Sequence, residues 1–328
     1  MAETIEHTTD IMSSMTLKDT PTASSSTTPS ETSSTTTPSE PSTPSPTTPV
    51  EPSPIEARQE KLLQPLEPSI LSQEKLDFAR QVIEKDVSIK PWWVNKYKNE
   101  AAKNWDKFYK RNETRFYKDR HWIEREFTVY KESSKKAMRS LEVGCGVGNF
   151  IFPVLEKNPD LFMYACDFAP SAIELVKQHK DYAEGRCEAF VCDLTINPLT
   201  DHIEAESLDV VSSIFVLSAI PAEKLEAAVR NIKSVMKSGG MICFRDYAVY
   251  DAAQVKFSSN PGHKLDTNLY VRQDGTLSHF FSAEQMKTLF EQEGFTTMEC
   301  DYVHRETINR AMALSVDRRF LQAKFVKN

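Results

Sequence analysis

Several signals that would assign this chain to a class of proteins are missing from its 328 residues. It has six cysteines, but no two of them are separated by only two residues, and no histidine lies at zinc-finger spacing from them. This pattern excludes the common zinc motifs and provides no disulfide framework. We therefore expect buried thiols in a reducing compartment and no bound metal.

Long apolar segments are missing as well. The first fifteen residues, MAETIEHTTDIMSSM, contain no apolar core like that of a secretory signal peptide. No apolar run approaches the roughly 20 residues that a membrane-spanning helix needs. The expected location is therefore intracellular, in the cytoplasm first and the nucleus second, with no membrane partner.

The negative charge of the chain is unevenly distributed. The formal net charge is −7, and residues 1–60 account for all of it with nine acids and two bases. Residues 90–139 have the opposite bias, with fifteen lysines and arginines against seven acids. Such a basic segment favours a face that binds a polyanion, although a solvated helical face would have the same composition.

Composition and periodicity predict three parts. Residues 1–60 are rich in serine, threonine and proline, so we predict a disordered tail without a chemical role. Residues 61–138 are predicted to form a helical, basic extension, with one helix beginning near Ser72 and a second following Pro91. The second helix, WWVNKYKNEAAKNWDKFYKRN, has aromatic residues at three- and four-residue spacing, which predicts one apolar face.

Residues 139–328 change to short apolar strands that alternate with helices, which is typical of a doubly wound, mostly parallel α/β sheet. Seven strands are predicted, at 139–144, 161–167, 187–192, 207–215, 239–246, 295–303 and 318–326. Helices are predicted at 147–157, 170–179, 222–236 and 282–293. The last two strands are expected to pair antiparallel at one edge. Residues 269–281 are expected to form a hairpin that turns at Asp274-Gly275.

A glycine-rich turn follows the first of these strands. In SLEVGCGVGNF (140–150), Gly144, Gly146 and Gly148 lie between an apolar strand and a helix. Glycine lets the backbone approach a ligand closely, because a Cβ would block it. A purely structural turn would use the same residues, so the motif alone is a weak signal.

Two carboxylates strengthen the prediction of a nucleoside site. Asp167 ends the second strand, where it can accept hydrogen bonds from both hydroxyls of an adenosine ribose. Asp193 ends the third strand and can accept from the amine of adenine, while Ile214 in the fourth strand can cover the base. The alternative is that the two aspartates only form turns at the strand ends. This explanation is plausible for either one alone and poor for both.

The spacing Gly-x-Gly-x-Gly, with Glu142 just before it, resembles that of S-adenosylmethionine-dependent methyltransferases. It differs from the Gly-x-Gly-x-x-Gly of NAD enzymes, which is the less favoured alternative. The number of strands agrees with this resemblance. It implies a Rossmann-like class I methyltransferase fold with an antiparallel edge strand, and S-adenosylmethionine as the cofactor.

Longer segments resemble a specific family, the tRNA 3-methylcytidine methyltransferases that modify the anticodon loop. The resembling segments are NWDKFYKRN (104–112), FYKDRHWIEREF (116–127), LEVGCGVGNFIFPVLE (141–156), YACDFAPSAIELVK (164–177), CDLT (192–195), IFVLSAI (214–220), FRDYAVYD (244–251) and YVRQDGTLSHFF (270–281). VHRETINRA and RRFLQAKFVK resemble the branch that acts on serine tRNAs, and a threonine-tRNA substrate is the alternative within the family. The tail has no counterpart in the family pattern.

The resemblance implies a tRNA substrate, with seryl-tRNA synthetase as a further expected partner. It makes residues 61–138 an RNA-binding extension and residues 139–328 the methyltransferase domain. The cofactor-binding residues that it implies are Trp105, Tyr109, Gly144, Gly146, Asp167, Asp193, Leu194 and Ile214. An aromatic ring can cap a sulfonium by a cation–π contact, although core packing would give the two aromatics the same spacing.

Candidates for the chemistry lie in FRDY (244–247), at the end of the fifth strand. Cytosine N3 carries an in-plane lone pair, so the enzyme mainly has to align the reacting atoms and favour positive charge. Asp246 is predicted to accept from the exocyclic amine of cytosine, Arg245 to hold a phosphate and Tyr247 to stack on the base. A buried structural ion pair of Arg245 or Asp246 is the alternative.

Other residues are expected to contact RNA directly. Phosphate contacts are predicted for Lys118, Arg120, His121 and Arg272, and stacking for Trp122 and Phe281. Core packing is the alternative for each aromatic residue. A methyltransferase of protein or small molecules is an alternative function, which would leave the basic segment unexplained. A catalytically silent scaffold is another, and it disagrees with the intact glycine and aspartate set.

Overall fold

The structure is a computed structural model that describes residues 71–132, 137–309 and 314–328. The predicted tail, residues 1–60, lies outside the described residues. The predicted boundary between extension and catalytic domain stays a prediction, and the first strand of the main sheet begins beside it, at Met138.

The extension is helical where it is described. Its helices are α1 (Gln73–Lys85), α2 (Pro91–Asn99), α3 (Ala101–Asn112), α4 (Ile123–Glu126) and α5 (Val129–Glu132). The Ser72 hydroxyl caps α1 by accepting from the backbone N–H of Lys75, as predicted. The single helix predicted after Pro91 is divided at Glu100, whose φ of −96° and ψ of 10° interrupt the helical geometry.

The main sheet has seven strands, which are β1 (Met138–Val143), β2 (Leu161–Asp167), β3 (Cys187–Val191), β4 (Leu208–Ile214), β5 (Met236–Tyr247), β9 (Phe295–Asn309) and β10 (Leu314–Lys327). Their order across the sheet is β3-β2-β1-β4-β5-β10-β9. Strands β1 to β5 pair in parallel, and β10 pairs antiparallel with both β5 and β9. The predicted α/β fold is confirmed, and the antiparallel strand β10 lies one position inside the edge.

The remaining helices are α6 (Ile151–Lys157), α7 (Pro170–Lys177), α8 (Leu225–Val235), α9 (Ala252–Ser258) and α10 (Ala283–Gln292). Helix α6 begins later than the predicted residue 147, because Gly146 and Gly148 have φ of +54° and +91°, outside the helical region. Apolar side chains cover both faces of the sheet, with Val143 and Phe244 in one cluster and Met163 and Ile151 in the other. None of the described helices is long and apolar enough to cross a bilayer.

A second, three-stranded antiparallel sheet contains β6 (Lys264–Asp266), β7 (Leu269–Val271) and β8 (Leu277–His279). Strands β7 and β8 form the predicted hairpin, with Gly275 at φ +83° in its turn. Strand β6 was not predicted. Apolar residues of this sheet pack with Val94, Tyr97 and Ala101 of α2 and α3, which brings the extension to the carboxyl ends of the main strands.

Candidate active site

A cavity that is partly open to solvent is lined by the residues that follow the parallel strands and by α2 and α3. The strand ends contribute Gly144, Asp167, Asp193, Phe215 and Val216. Doubly wound sheets bind ligands in this crevice, outside the carboxyl ends of their strands.

The glycine-rich turn has no room for side chains. Gly144 has φ +57°, and a Cβ there would lie 2.6 Å from Val216 Cγ1. Gly146 has φ +54°, and its Cβ would lie 2.8 Å from the hydroxyl of Tyr109. Both positions therefore require glycine for backbone conformation and for space.

Asp167 holds the glycine turn as well as lining the cavity. Its Oδ2 accepts from the backbone N–H of Gly146 and its Oδ1 from that of Ala169, each at 2.9 Å. Burial raises the pKa of this carboxyl to about 6. Each carboxylate oxygen can accept a further hydrogen bond, so the hydrogen bonds to the turn leave capacity for ligand hydroxyls.

Asp193 and Leu194 also line the cavity. Oδ1 of Asp193 accepts from the backbone N–H and the hydroxyl of Thr195, at 2.9 and 2.8 Å, so this residue shapes a turn in addition to facing the cavity. The side chain of Ile214 lies in the apolar core instead. The next two residues, Phe215 and Val216, line the cavity where Ile214 was expected to cover the base.

Trp105 and Tyr109 line the cavity from α3, with their rings stacked at a centroid distance of 5.8 Å. The indole Nε1 of Trp105 is buried and has no hydrogen-bond partner in the described part of the chain. A buried donor of this kind costs free energy unless a ligand or water accepts from it. The guanidinium of Arg272 lies 4.9 Å from the Trp105 ring centroid.

Polar contacts hold the two helices over the cavity. Asp106 accepts from the backbone N–H of Ser171 at the start of α7, at 3.0 Å, and from its hydroxyl at 2.7 Å. Lys98, which lines the cavity, has its Nζ 3.1 Å from Glu223 and 3.4 Å from Asp266. Nothing in the sequence pattern pointed to Lys98, because its partners are more than 100 residues away.

Asp246 is completely buried, at 0% exposure, beneath the loop that forms one wall of the cavity. Its Oδ2 accepts from the backbone N–H of Ser218 at 2.9 Å, and its Oδ1 from that of Tyr247 at 2.8 Å. Burial raises the pKa of this carboxyl to about 6. The carboxylate fixes the loop and does not line the cavity in this conformation, so its contact with cytosine stays a prediction.

Arg245 forms a buried ion pair, which was the predicted alternative to a phosphate contact. Its Nη2 is 3.3 Å from Oε2 of Glu126, and both side chains are 3% exposed. The guanidinium also hydrogen-bonds Gln322 and lies 4.0 Å from the centroid of the Trp122 ring. Burial, with the neighbouring arginines, lowers the pKa of Arg245 to about 9 against the opposing effect of Glu126. Trp122, which was predicted to stack on RNA, therefore stacks on Arg245. Phe281, the other residue predicted to stack, lies in the apolar core.

Tyr247 is half-buried among aromatic residues close to the cavity. Its ring centroid lies 5.2 Å from that of Phe215 and 6.3 Å from that of Phe320. Phe215 has φ +62°, a strained conformation for a bulky residue that is found most often at functional sites. We call Phe215, Tyr247 and Phe320 the aromatic pocket. Arg318 lies over the rings of Tyr247 and Phe320, at 5.7 and 5.3 Å.

The four residues predicted to bind phosphates divide into two pairs. Lys118 and His121 are exposed. Arg120 turns inward, with Nη1 3.2 Å from the Ile214 carbonyl oxygen. Arg272 also turns inward, and its Nε donates to the Thr276 hydroxyl at 2.7 Å. Arg120 and Arg272 thus point inward, towards the Ile214 carbonyl and the Trp105 ring, while Lys118 and His121 remain on the surface.

Within the described ranges, no cluster of histidine, cysteine, aspartate and glutamate side chains is arranged to hold a metal ion. All six cysteines are free and buried.

Comparison with known proteins relates this architecture to methyltransferases. The family described as "Methyltransferase domain" matches residues 141–242. The tRNA N(3)-cytidine methyltransferase METTL6 of Homo sapiens is 49% identical over 235 residues, which cover 71% of this chain and 82% of that protein. The tRNA N(3)-methylcytidine methyltransferase trm141 of Schizosaccharomyces pombe is 48% identical over 238 residues, covering 72% and 96%.

A more distant relative and a solved structure agree with these matches. The tRNA N(3)-cytidine methyltransferase METTL2 of Xenopus tropicalis is 36% identical over 299 residues, covering 78% of this chain and 87% of that protein. The PH0226 protein from Pyrococcus horikoshii OT3 superposes with a TM-score of 0.50 at 15% identity, covering 68% of this chain and 99% of that one. The structural likeness shows the fold alone.

Proposed function

The chain belongs to the tRNA N(3)-cytidine methyltransferase family, and on that premise we propose that it methylates N3 of a cytidine in the tRNA anticodon loop. One observation carries the proposal. About half of the aligned residues are identical to those of these enzymes. The chain also has a cavity at the strand ends, which Gly144, Asp167 and Asp193 line. We further propose S-adenosylmethionine as the methyl donor.

Three features of the cavity fit this donor. The glycine turn at Gly144 and Gly146 has no side chains of its own, which lets a ligand approach the backbone. Asp167 offers carboxylate oxygens for ribose hydroxyls, and the buried Nε1 of Trp105 lacks a partner in the described residues. Trp105 and Tyr109 present aromatic faces, which attract a cation. When bound, S-adenosylmethionine supplies a methyl group on a positively charged sulfur.

The reaction needs little proton transfer from the protein. The lone pair of cytosine N3 lies in the plane of the base and is free at neutral pH, so no general base has to act on it. The tasks of the chain are to hold the base in an unpaired state, to orient N3 and to exclude water. The product base is positively charged, which favours a site with aromatic faces and carboxylates nearby.

The aromatic pocket is suited to hold the unpaired base. Phe215 belongs both to this pocket and to the lining of the cofactor cavity, so a base stacked against Tyr247 would lie next to the methyl donor. Unpaired RNA bases are commonly bound by stacking on aromatic side chains. Asp246 fixes the backbone of the adjoining loop, and its selection of the cytosine amine is part of the proposal.

Methylation of purified tRNA tests this function. The protein is incubated with labelled S-adenosylmethionine and total tRNA, and the digested nucleosides are identified by mass spectrometry. We expect label in 3-methylcytidine, and none after RNase treatment of the substrate or with the Asp167→Ala variant. Label in protein, or in a different nucleoside, would overturn the proposal.

We also propose a tRNA substrate, a protein partner and a cellular location. The resemblance of VHRETINRA and RRFLQAKFVK to the serine-tRNA branch supports serine tRNAs as the substrates. Seryl-tRNA synthetase is the proposed partner and the cytoplasm the proposed location. Purified serine and threonine tRNAs, compared at equal concentration with and without the synthetase, separate the alternatives. Faster methylation of the threonine tRNA would overturn the serine assignment. Equal rates with and without the synthetase would remove it as a partner.

A further inference from the structure

Two tryptophans lie exposed on helix α2, outside the cavity. Trp92 is 64% exposed and Trp93 is 41% exposed, which is unusual for the largest apolar side chain. Lys96 accompanies them, with its Nζ 5.4 Å from the ring centroid of Trp92 and 4.9 Å from that of Trp93. We call these three residues the tryptophan platform.

The platform has a fixed base and an open outer side. The rings of Trp92 and Trp93 meet edge to face at 4.6 Å, and Trp93 stacks on Tyr97 at 6.0 Å. Tyr97 and Val94 pack against the small sheet and so hold the helix in place. The rings of the platform therefore keep their positions without being covered, which lowers the entropy cost of stacking on a ligand.

The charge around the platform selects the ligand. Residues 90–99 contain no acid and three lysines, of which Lys98 is paired with Glu223 and Asp266. Lys90 and Lys96 therefore carry the local excess of positive charge. Aromatic rings beside a cation match the two parts of an unpaired nucleotide, because the base stacks on a ring and the phosphate pairs with the ammonium group. A protein ligand with apolar side chains would gain nothing from the local excess of positive charge.

The position of the platform indicates which part of the RNA it would contact. Lys98 and Asn99 of the same helix line the cofactor cavity, and Trp93 lies five residues before Lys98. At 1.5 Å per residue this is roughly 7–8 Å along the helix axis, about the length of one nucleotide step in an extended strand. The platform and the cavity lining therefore lie less than two helical turns apart on α2.

We propose that the tryptophan platform stacks on an unpaired nucleotide of the anticodon loop, beside the cytidine that is methylated. This inference rests on the proposed function. A loop base that enters the active site leaves its neighbours without their stacking partners. The rings of Trp92 and Trp93 replace that lost stacking, and Lys96 neutralises the adjoining phosphate.

A comparison of variants and RNAs tests the proposal. The RNA is an anticodon stem-loop in two forms, one intact and one with abasic sites on both sides of the target cytidine. The variant is Trp92→Ala/Trp93→Ala. Phe78→Ala is the matched control, since Phe78 is an aromatic residue on α1 that is 59% exposed. Trp92→Phe/Trp93→Phe keeps rings at both positions.

For the intact RNA, we expect the double alanine variant to bind about tenfold more weakly than the unaltered protein, in line with the loss of one stacked base. The control and the phenylalanine variant should bind within about twofold. Abasic sites should weaken binding to the unaltered protein by a similar factor and should change little for the double alanine variant. Its affinity for S-adenosylmethionine and its melting temperature should be unchanged.

The results that contradict the proposal are distinct from those that contradict the proposed function. Equal RNA affinity of the double alanine variant and the unaltered protein would overturn the platform and point to a protein partner on this face. Equal weakening of both proteins by the abasic sites would show that the rings contact no base. Failure of the unaltered protein to bind or methylate tRNA would instead refute the proposed function.

Discussion

Arg120 and Glu142 form an ion pair in which Nη1 lies 3.7 Å from Oε1, and it joins the basic segment to the strand that precedes the glycine turn. Glu142 is almost completely buried, and its second oxygen, Oε2, has no partner among the described residues. Burial raises the pKa of this carboxyl well above its usual range, and Arg120 opposes that shift. The arginine thus stabilises a carboxylate next to the cofactor site.

Arg120 and Lys118, which were both predicted to contact phosphates, should therefore respond differently to substitution. We expect Arg120→Ala to lower the melting temperature and the affinity for S-adenosylmethionine, because it leaves the buried Glu142 unpaired. Lys118→Ala should leave both unchanged and reduce the slope of log Kd for tRNA against log salt by about 1. Thermal melting, calorimetry and a salt titration measure these quantities, and the same response from both variants would contradict the distinction.

Asp167 should dominate the affinity for the cofactor. Asp167→Ala removes the acceptor for ribose hydroxyls and releases the glycine turn at Gly146, so the binding free energy should weaken by about 2–4 kcal/mol, on the scale of lost charged hydrogen bonds. Thr195→Val, in which a half-buried turn loses one hydroxyl at the cavity edge, should have a much smaller effect. Calorimetry that finds normal affinity in a folded Asp167→Ala protein would refute the assignment.

The pH dependence of cofactor binding should reveal the same carboxyl. Because burial raises the pKa of Asp167 to about 6, this group gains a proton as the pH falls through 6. Hydroxyl groups donate to the ionised form, so affinity should be constant above about pH 7 and fall towards tenfold per pH unit below 6. Asp167→Asn should bind more weakly and lose most of this dependence. An equal dependence in the variant would assign the titration to another group, such as Glu142.

Asp246→Asn should separate a role in catalysis from a role in the loop. The amide places a donor against the backbone N–H of Ser218 or Tyr247, which should cost about 1–3 kcal/mol of folding free energy. We expect most methylation to be lost while the protein still binds cofactor and tRNA. Melting temperature, cofactor affinity and single-turnover rate are measured on one sample. A folded variant with a near-normal rate would remove Asp246 from the active site.

The buried pair of Arg245 and Glu126 should contribute to folding more than to catalysis. Glu126→Gln leaves a buried guanidinium without its counter-charge, so we expect a loss of about 3–5 kcal/mol in the free energy of unfolding. Glu299→Gln disrupts the more exposed pair with Lys324 and should cost less than about 1 kcal/mol. Denaturant unfolding compares the two, and similar losses would show that Arg245 is compensated by other groups.

The sequence predicted the features that depend on local pattern. The seven strands follow from short apolar runs, and Asp167 was found at its site because the end of a strand fixes where the next side chain lies. The glycine turn was recognised from spacing, and positive φ at Gly144 and Gly146 explains why no other residue would serve.

Contacts between residues that lie far apart in the sequence could not be predicted from local pattern. Arg245 meets Glu126 and Lys98 meets Glu223, and in each case more than 100 residues separate the partners along the chain. The helical periodicity of a sequence also does not reveal a break at a single residue, so the interruption at Glu100 was not predicted. Arg120 resembled a phosphate ligand because composition shows the charge of a residue but not the direction of its side chain.

The placement of β10 has a consequence for how the protein is made. This strand lies between β5 and β9, but the ribosome synthesises it after both. Until residues 314–327 have emerged, β5 and β9 each present an unpaired edge, and unpaired edges promote association between nascent chains. Assistance from chaperones should therefore matter most until β10 has been synthesised. A protein truncated after residue 313 should be cut by protease within β5, whereas resistance there would show that the sheet closes without its last strand.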